Sequence, residues 1–381
     1  MYQNKILFLP VSGPKGSGEY IRSLTIAQAI SQTWKNVDIK FILSKHALYA
    51  KNTPFDCHRI DRSPTLAVDA VKKIIRAEEP DLCIFDSSGR TSIFRMLKKM
   101  HVPTIFISSR KRPGRKATSL KWLPLISQHW IAQPAFMTSE PTRWEQFKFK
   151  ITGADSPHVF DTFFPIPDKT RRDALKRRIG LENQPYVVFS SGGGGQHQKA
   201  GKQAPEIFAE AAEIVARKSG MRCVAVMGPN YQGRFPEYKG VTTISSLSND
   251  EFIELIHDAH MVVVNGGSTL TQALANKKVC VAVPTAGDQP ERIAKAKASA
   301  IIESAELDEH YISTITLILL GDLSHYQLLQ KNVSAYPVQN GLPKAMIYLS
   351  MLLNNCSLSP HEEVPRKSYA PSGIDMNAYV S

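Results

Sequence analysis

At 381 residues the chain is long for one domain and comfortable for two. Its hydrophobic share of 43% is ordinary for a globular protein, and no apolar run approaches the ~18–20 residues of a bilayer-spanning helix, which argues against a helical membrane protein. The formal net charge of +13 points to a polyanionic partner, whether nucleic acid, an anionic membrane face or a phosphate-bearing substrate; a solvated basic surface is the plain alternative. The five cysteines are odd in number, scattered and without a CxxC pair, which favours a reducing cytosol and argues against a zinc site.

Residues 5–11 (KILFLPV) read as a first strand rather than a signal-peptide core, being short, without a small-residue cleavage pattern, and followed by a glycine-rich turn. Residues 19–31 carry Ile21, Leu24, Ile26, Ala27 and Ile30 close to helical period. A strand is expected over 37–43 and a helix over 65–77, with Pro64 suited to its start. A strand over 81–85 ends at Asp86-Ser87-Ser88-Gly89, and a helix over 93–100 precedes a strand over 104–108. This βαβα alternation implies a parallel, doubly wound sheet.

The pattern then changes. Arg110, Lys111, Arg112, Arg115 and Lys116 fall in a basic, turn-rich loop, and the apolar residues 120–131 behind it carry Trp122 and Trp130. Basic residues beside interfacial tryptophans anchor proteins to anionic lipid. Those five cations and Trp122 are therefore a candidate membrane or anionic-partner surface, against the competing reading of a flexible loop and a core helix. No recognisable nucleic-acid module accompanies the charge. The stretch 163–184, with Pro165, Pro167, a basic helix-like run over 169–178 and Gly180, reads as a domain boundary.

The alternation restarts with a strand over 186–190, followed by Ser191 and the glycines 192–195. An amphipathic helix over 205–217 is closed by Gly220, and a strand over 222–227 ends at Gly228-Pro229. A short strand over 242–244 precedes a capping-box pair, Ser248 and Glu251, ahead of a helix to Ala259. Residues 261–264 are a β-branched apolar run closed by Asn265-Gly266-Gly267, the pattern of a buried parallel strand ending in a sharp turn with accessible N–H groups. Ser268 and Thr269 can cap the helix that follows. Another strand, Val279–Val283, leads to Gly287-Asp288-Gln289, where Asp288 and Glu291 have capping-box spacing. Ligands of open α/β sheets bind at strand carboxyl ends, and a helix N-terminus behind a Gly-Gly turn suits a phosphate or diphosphate. No Walker pattern closes the run 190–195.

Gly266-Gly267, Gln272-Ala273-Leu274-Ala275, Pro284 and Gly287-Asp288-Gln289-Pro290 resemble, in order and near spacing, the nucleotide-sugar signature of GT-B fold glycosyltransferases. Within that fold the signature is most similar to those of the UDP-glycosyltransferases and of the N-acetylglucosamine transferase of lipid II synthesis. Gly16-x-Gly18-Glu19-x-x-Arg22 resembles the same family's amino-terminal G-x-G-H-x-x-R turn. The resemblance implies an α/β protein of two Rossmann-like, doubly wound parallel-sheet domains facing a cleft. It places an acceptor-side domain over 1–165, a nucleotide-sugar domain over 166–340, and a helix over 341–356 crossing back. The residues 357–381, rich in Pro, Ser and charge, are expected to be a disordered tail.

It further implies a division of roles. Glu19 stands where the family has a histidine general base; the competing reading is an acid at a helix start. Asp86 would touch the acceptor or orient the base, and Gly16, Ser17, Gly18 and Arg22 would form the acceptor-side loop. Gly192, Gly193 and Gly194, with Gly266, Gly267, Ser268 and Thr269, would meet the diphosphate. Asn265 takes the place of a histidine near the phosphates, and Gln272 that of a glutamate on the ribose. Ser246 and Leu247 would seat the base, and Asp288 and Gln289 the sugar hydroxyls. The expected activity is metal-independent transfer from a nucleotide-sugar, a UDP-sugar by preference, to an acceptor that is lipid-linked or membrane-associated. No cofactor is expected, and nucleic acid is not. The protein would be cytoplasmic and peripheral at the inner membrane face. The rivals are a hydrolase or epimerase of the same fold and a non-catalytic binding subunit.

Overall fold

The computed structural model describes residues 4–13, 17–109, 111–182, 184–193, 198–199, 201–235 and 237–356. The first sheet contains β1 (Asn4–Pro10), β2 (Val37–Ser44), β3 (Asp56–Ile60), β4 (Leu82–Asp86), β5 (Thr104–Ser108), β6 (Gln128–Ile131) and β7 (His158–Val159), in the order β3-β2-β1-β4-β5-β6-β7. All its pairings are parallel. The central strands are near-continuous apolar runs because both faces are covered. On one face, Ile6, Phe8 and Ile84 pack with helix α1 (Gly18–Thr33); on the other, Leu7, Leu9 and Phe85 pack with α2 (Val68–Glu78) and α3 (Thr91–Lys99). Two further helices, α4 (Lys111–Ala117) and α5 (Arg143–Thr152), follow β5 and β6.

After α6 (Lys169–Arg178) comes the second sheet. Its strands are β8 (Tyr186–Ser190), β11 (Arg222–Val226), β12 (Val241–Ile244), β13 (Met261–Asn265), β14 (Val279–Val283) and β15 (Glu303–Ser304), ordered β12-β11-β8-β13-β14-β15 and parallel throughout. A small hairpin, β9 (Gln198–Lys199) with β10 (Lys202–Gln203), follows β8. One face of the sheet packs on α8 (Asn249–Asp258), α9 (Ser268–Ala275) and α10 (Gln289–Ala298). The other packs on α7 (Ala204–Ser219), α11 (Glu309–Gly321) and α12 (Leu323–Ala335). The chain then returns. Its last helix, α13 (Leu342–Cys356), buries Leu342, Ala345, Leu349 and Leu353 in the core of the first sheet. The outgoing and returning segments run side by side: Thr162 and Asn340 form a parallel bridge, and the Asn340 Nδ2 donates to the Phe164 carbonyl at 2.7 Å.

Three expectations need correction. Residues 111–117 are helix α4, not a turn-rich loop. Residues 120–131 are neither a core helix nor a lipid anchor: they form a 3-10 turn, Leu123–Leu125, and the strand β6. Trp122 is only 2% exposed; its Nε1 donates to Thr91 Oγ1 at 2.9 Å and its ring packs edge-on to Phe94 and Phe106. It is core, and Trp130 is buried as well. The basic run of α6 is also largely spoken for within the molecule. Arg171 pairs with Glu254, Lys176 with Asp258 and Arg178 with Glu251, across to the acidic face of α8. Among the described residues no helix is long and apolar enough to cross a membrane. The expected disordered tail, 357–381, lies outside the described residues.

Candidate active site between the two sheets

The carboxyl ends of both sheets face one cleft of about 490 Å³. Its first wall carries Ser17, Gly18, Glu19 and Arg22 from the start of α1, Ser109 beyond β5, and Gln133 and Pro134 beyond β6. Its second wall carries Gly192 and Gly193 beyond β8, Leu247 and Asn249 at the start of α8, Gly267, Ser268, Thr269 and Gln272 at the start of α9, and Asp288 and Arg292 on α10. Asn249 Nδ2 donates to Thr25 Oγ1 of α1 at 3.4 Å, so the walls touch at one rim.

Glu19 sits in the first turn of α1, where a carboxylate suits the helix dipole, and its side chain is half-buried in the cleft wall. One turn further on, Arg22 reaches under it. The Arg22 guanidinium grips Asp86 with both prongs, Nε to Oδ2 and Nη2 to Oδ1, each at 2.7 Å. Asp86 is completely buried. Burial pushes its carboxyl up to about 6, against the pull of Arg22, and the Glu19 charge adds to the push. Asp86 therefore lies beneath the cleft with both oxygens engaged by Arg22, not at its surface. Gly16 is outside the described residues.

The second wall is shaped by close backbone approaches. Gly192 has φ +87°, and a Cβ there would lie 2.5 Å from Asn265 Nδ2. Gly228, at φ +95°, lets its loop press onto Gly192 and Gly193, and Asn230 N donates to the Gly193 carbonyl at 2.9 Å. Gly194 lies outside the described residues. Asn265 does not line the cleft. Its Nδ2 donates to the Ser191 carbonyl at 2.7 Å and its Oδ1 accepts from Gly267 N at 3.2 Å. It braces the two glycine turns against each other rather than offering a free amide to a phosphate. The cap of α9 is Gly267, with Ser268 and Thr269 already helical. That leaves the first turn of α9 facing the cleft, a ready anion site.

Asp288 and Gln289, adjacent in sequence, go separate ways. Asp288 is exposed at the cleft and makes no cap hydrogen bond, so the expected capping box with Glu291 does not form. Gln289 is turned inward. Its Oε1 accepts from Thr285 N at 2.8 Å and from Gly266 N at 3.2 Å, and it does not line the cleft. Gly266 is likewise buried, because a Cβ there would meet Ile293 Cδ1 at 2.7 Å. Ser246 is exposed outside the cleft, whereas Leu247 lines it. Gln272, 7% exposed, lines it as well. Sequence reading missed Arg292, which donates to the Gly266 carbonyl, and Asn249. Arg292 is one helical turn beyond Asp288, and that spacing could have found it.

Of the proposed anionic-partner residues, Arg115 and Lys116 are exposed and Lys116 Nζ lies 4.5 Å from the Trp122 ring centroid. Lys111 and Arg112 belong to α4, and Arg110 is outside the described residues.

Two parallel-sheet domains facing a cleft, with the last helix returned to the first domain, are the GT-B architecture, and this chain has it. Neither a family model nor a curated protein matches the chain. Among solved structures it is similar to CalG4, the calicheamicin glycosyltransferase, with a TM-score of 0.63 and 13% identity over 94% of this chain and 100% of that one. It is similar to UGT2 of Phytolacca americana, solved with UDP-2-fluoroglucose and pterostilbene, with a TM-score of 0.63 and 11% identity over 93% and 100%. A Listeria monocytogenes protein solved as a candidate UDP-N-acetylglucosamine 2-epimerase gives 0.58 and 12% over 96% and 100%.

Proposed function

We propose that the chain is a glycosyltransferase that moves a sugar from a nucleotide-sugar, a UDP-sugar by preference, to an acceptor hydroxyl. The observation that carries this reading is the apposition across one cleft of Glu19 on the first domain and the Gly267–Thr269 helix start on the second. The donor diphosphate lies against the N–H groups of α9 and of Gly192 and Gly193, and Asp288 meets the sugar hydroxyls. The acceptor oxygen attacks the anomeric carbon as the bond to the diphosphate oxygen breaks. The electron pair leaves with the diphosphate and the acceptor proton passes to Glu19. The positive end of α9 stabilises the leaving charge, and the reaction is proposed to run without a metal or cofactor. We place the protein in the cytoplasm, with which the free Cys57, Cys83, Cys223 and Cys280 agree, at the inner face of the membrane and with a membrane-associated acceptor.

A nucleotide-sugar hydrolase or epimerase is the second reading. It is favoured by the likeness to the epimerase candidate and by a carboxylate, Glu19, in place of histidine. The test is thermal unfolding of the purified protein with UDP, GDP, CMP and TDP sugars, followed by product analysis with the donor that stabilises it. Transfer requires stabilisation and release of nucleotide only with an acceptor; release of free or isomerised sugar without one supports the second reading. No stabilisation by any donor overturns both and leaves a non-catalytic subunit.

A further inference from the structure

Helix α5 is built with its apolar side outward. A capping box between Thr142 and Glu145 fixes its start, and Gly153, left-handed at φ +64°, ends it. Its inward anchor is Phe149, 6% exposed. On the opposite side, Trp144, Phe147 and Ile151 follow the i, i+3, i+7 spacing of one helical face and are 60%, 50% and 55% exposed. Trp144 and Phe147 stack on each other, with ring centroids 5.4 Å apart, rather than folding back onto the protein. Leu120, 46% exposed, comes from the neighbouring segment, which is tied to α5 by the bond from Lys148 Nζ to the Thr118 carbonyl at 2.7 Å.

The charge around this stripe has one sign. Arg143 and Lys150 are exposed on α5 beside it, and Arg115 and Lys121 are exposed on the adjoining segment. Glu145, the acid of the helix, is held by the capping box. We propose that this face docks on an anionic lipid bilayer. Trp144, Phe147 and Ile151 enter the interfacial layer, while the surrounding cations meet lipid phosphates. An interfacial tryptophan beside aliphatic residues, rimmed by cations and free of unpaired acids on the helix, fits a lipid surface better than a protein groove, whose occupant would bring its own hydrogen-bonding complement. The face belongs to the same domain as the acceptor-side wall of the cleft, which Gln133 and Pro134 line. It deepens, and in its biological use rests on, the reading of a membrane-associated acceptor; the docking itself is independent of transfer chemistry.

The test uses the full-length protein with vesicles of phosphatidylcholine alone or mixed with phosphatidylglycerol, read by co-sedimentation and tryptophan emission. Trp122 and Trp130 are buried and Trp34 is half-buried, so a blue shift on binding reports Trp144. The protein is expected to bind the anionic vesicles, with a blue shift that Trp144→Phe removes, and to be released by salt. The combined variant Trp144→Ser, Phe147→Ser, Ile151→Ser should bind about tenfold or more weakly while unfolding at the wild-type temperature. The proposal is overturned if the wild type ignores anionic vesicles or if the triple variant binds as well as it does. It is also overturned if the triple variant abolishes only a dimer seen without lipid. Donor stabilisation is measured on the same samples. Vesicle binding without it sinks the transferase reading alone, and donor stabilisation without vesicle binding sinks this one alone.

Discussion

Arg22 and Asp86 meet in a bidentate ion pair under the cleft floor, with both contacts at 2.7 Å and the carboxylate fully buried. The sequence places them far apart, on the first turns of α1 and at the end of β4, and the parallel pairing of β1 with β4 brings them together. Both Asp86 oxygens are occupied, so Asp86 fixes Arg22 rather than orienting Glu19. Asp86→Ala leaves a buried guanidinium without its counter-charge and should cost about 3–5 kcal/mol of stability. Chemical denaturation at neutral pH measures this; a loss below about 1 kcal/mol shows that the pair is not a structural tie.

Glu19 lines the cleft and is the proposed base. Glu19→Gln keeps its size and hydrogen-bonding reach but removes the basic lone pair. Turnover with the donor found by thermal unfolding should fall about 10²–10⁴-fold, with donor affinity nearly unchanged. Turnover equal to wild type excludes Glu19 as the base.

Neighbouring residues Asp288 and Gln289 separate binding from architecture. Asp288→Asn should leave the unfolding temperature in place and weaken binding of the sugar donor relative to the bare nucleoside diphosphate. Gln289→Ala removes the acceptor that ties Thr285 and Gly266 together. It should cost about 1–3 kcal/mol for the buried donors left unpaired. Calorimetric titration of donor and diphosphate against each variant reads the two effects. The reverse assignment of effects contradicts the site as drawn.

His129 supplies an acid-sensitive element in the first domain. It is 5% exposed, its Nε2 lies 2.8 Å from Ser108 Oγ, and its Nδ1 is buried without a partner. Burial lowers its pKa from 6.5 to about 4. The unfolded chain thus takes up a proton that the folded chain refuses. This group's contribution to stability is full above about pH 6.5 and is lost as the pH falls towards 4. Denaturation of wild type and His129→Gln across that range should show a gap that changes with pH; a parallel pair of curves rules the group out.

The two-sheet plan was legible in the sequence because buried parallel strands are short apolar runs ended by glycine or proline, as in Met261–Asn265 and Val279–Val283. β3 and β6 escaped notice. Asp56–Ile60 is an edge strand in which Asp56, His58 and Arg59 are polar and no period-2 pattern shows, and Gln128–Ile131 is brief and sits behind a 3-10 turn. Residue types at the cleft were legible; their directions were not. Nothing in the string Asp288-Gln289 says that the first side chain faces solvent and the second the interior. Nor does Asn265 announce that its amide is taken up by Ser191 and Gly267. Trp122 misled most, because a tryptophan beside cations has the same local composition whether it packs on Phe94 or on lipid. The outward face of α5, which does carry a tryptophan, has no distinct signature in the sequence, because an apolar stripe at helical spacing marks a core helix equally well.

The bridge between Thr162 and Asn340 has a mechanical consequence. A polypeptide that leaves one body and re-enters it along the same line, stitched by the Asn340 amide to Phe164, restricts the two halves to pivoting about that line. Sliding or twisting apart would break both passages at once. Any change in the width of the mouth is then a rotation, smallest near the spine, where Thr25 and the start of α8 share a groove with Pro165, Leu342 and Pro343. The walls of the cleft thus meet close to the line about which they turn, and the long 3.4 Å bond from Asn249 to Thr25 adds little to the hold that the Asn340 amide already has on Phe164.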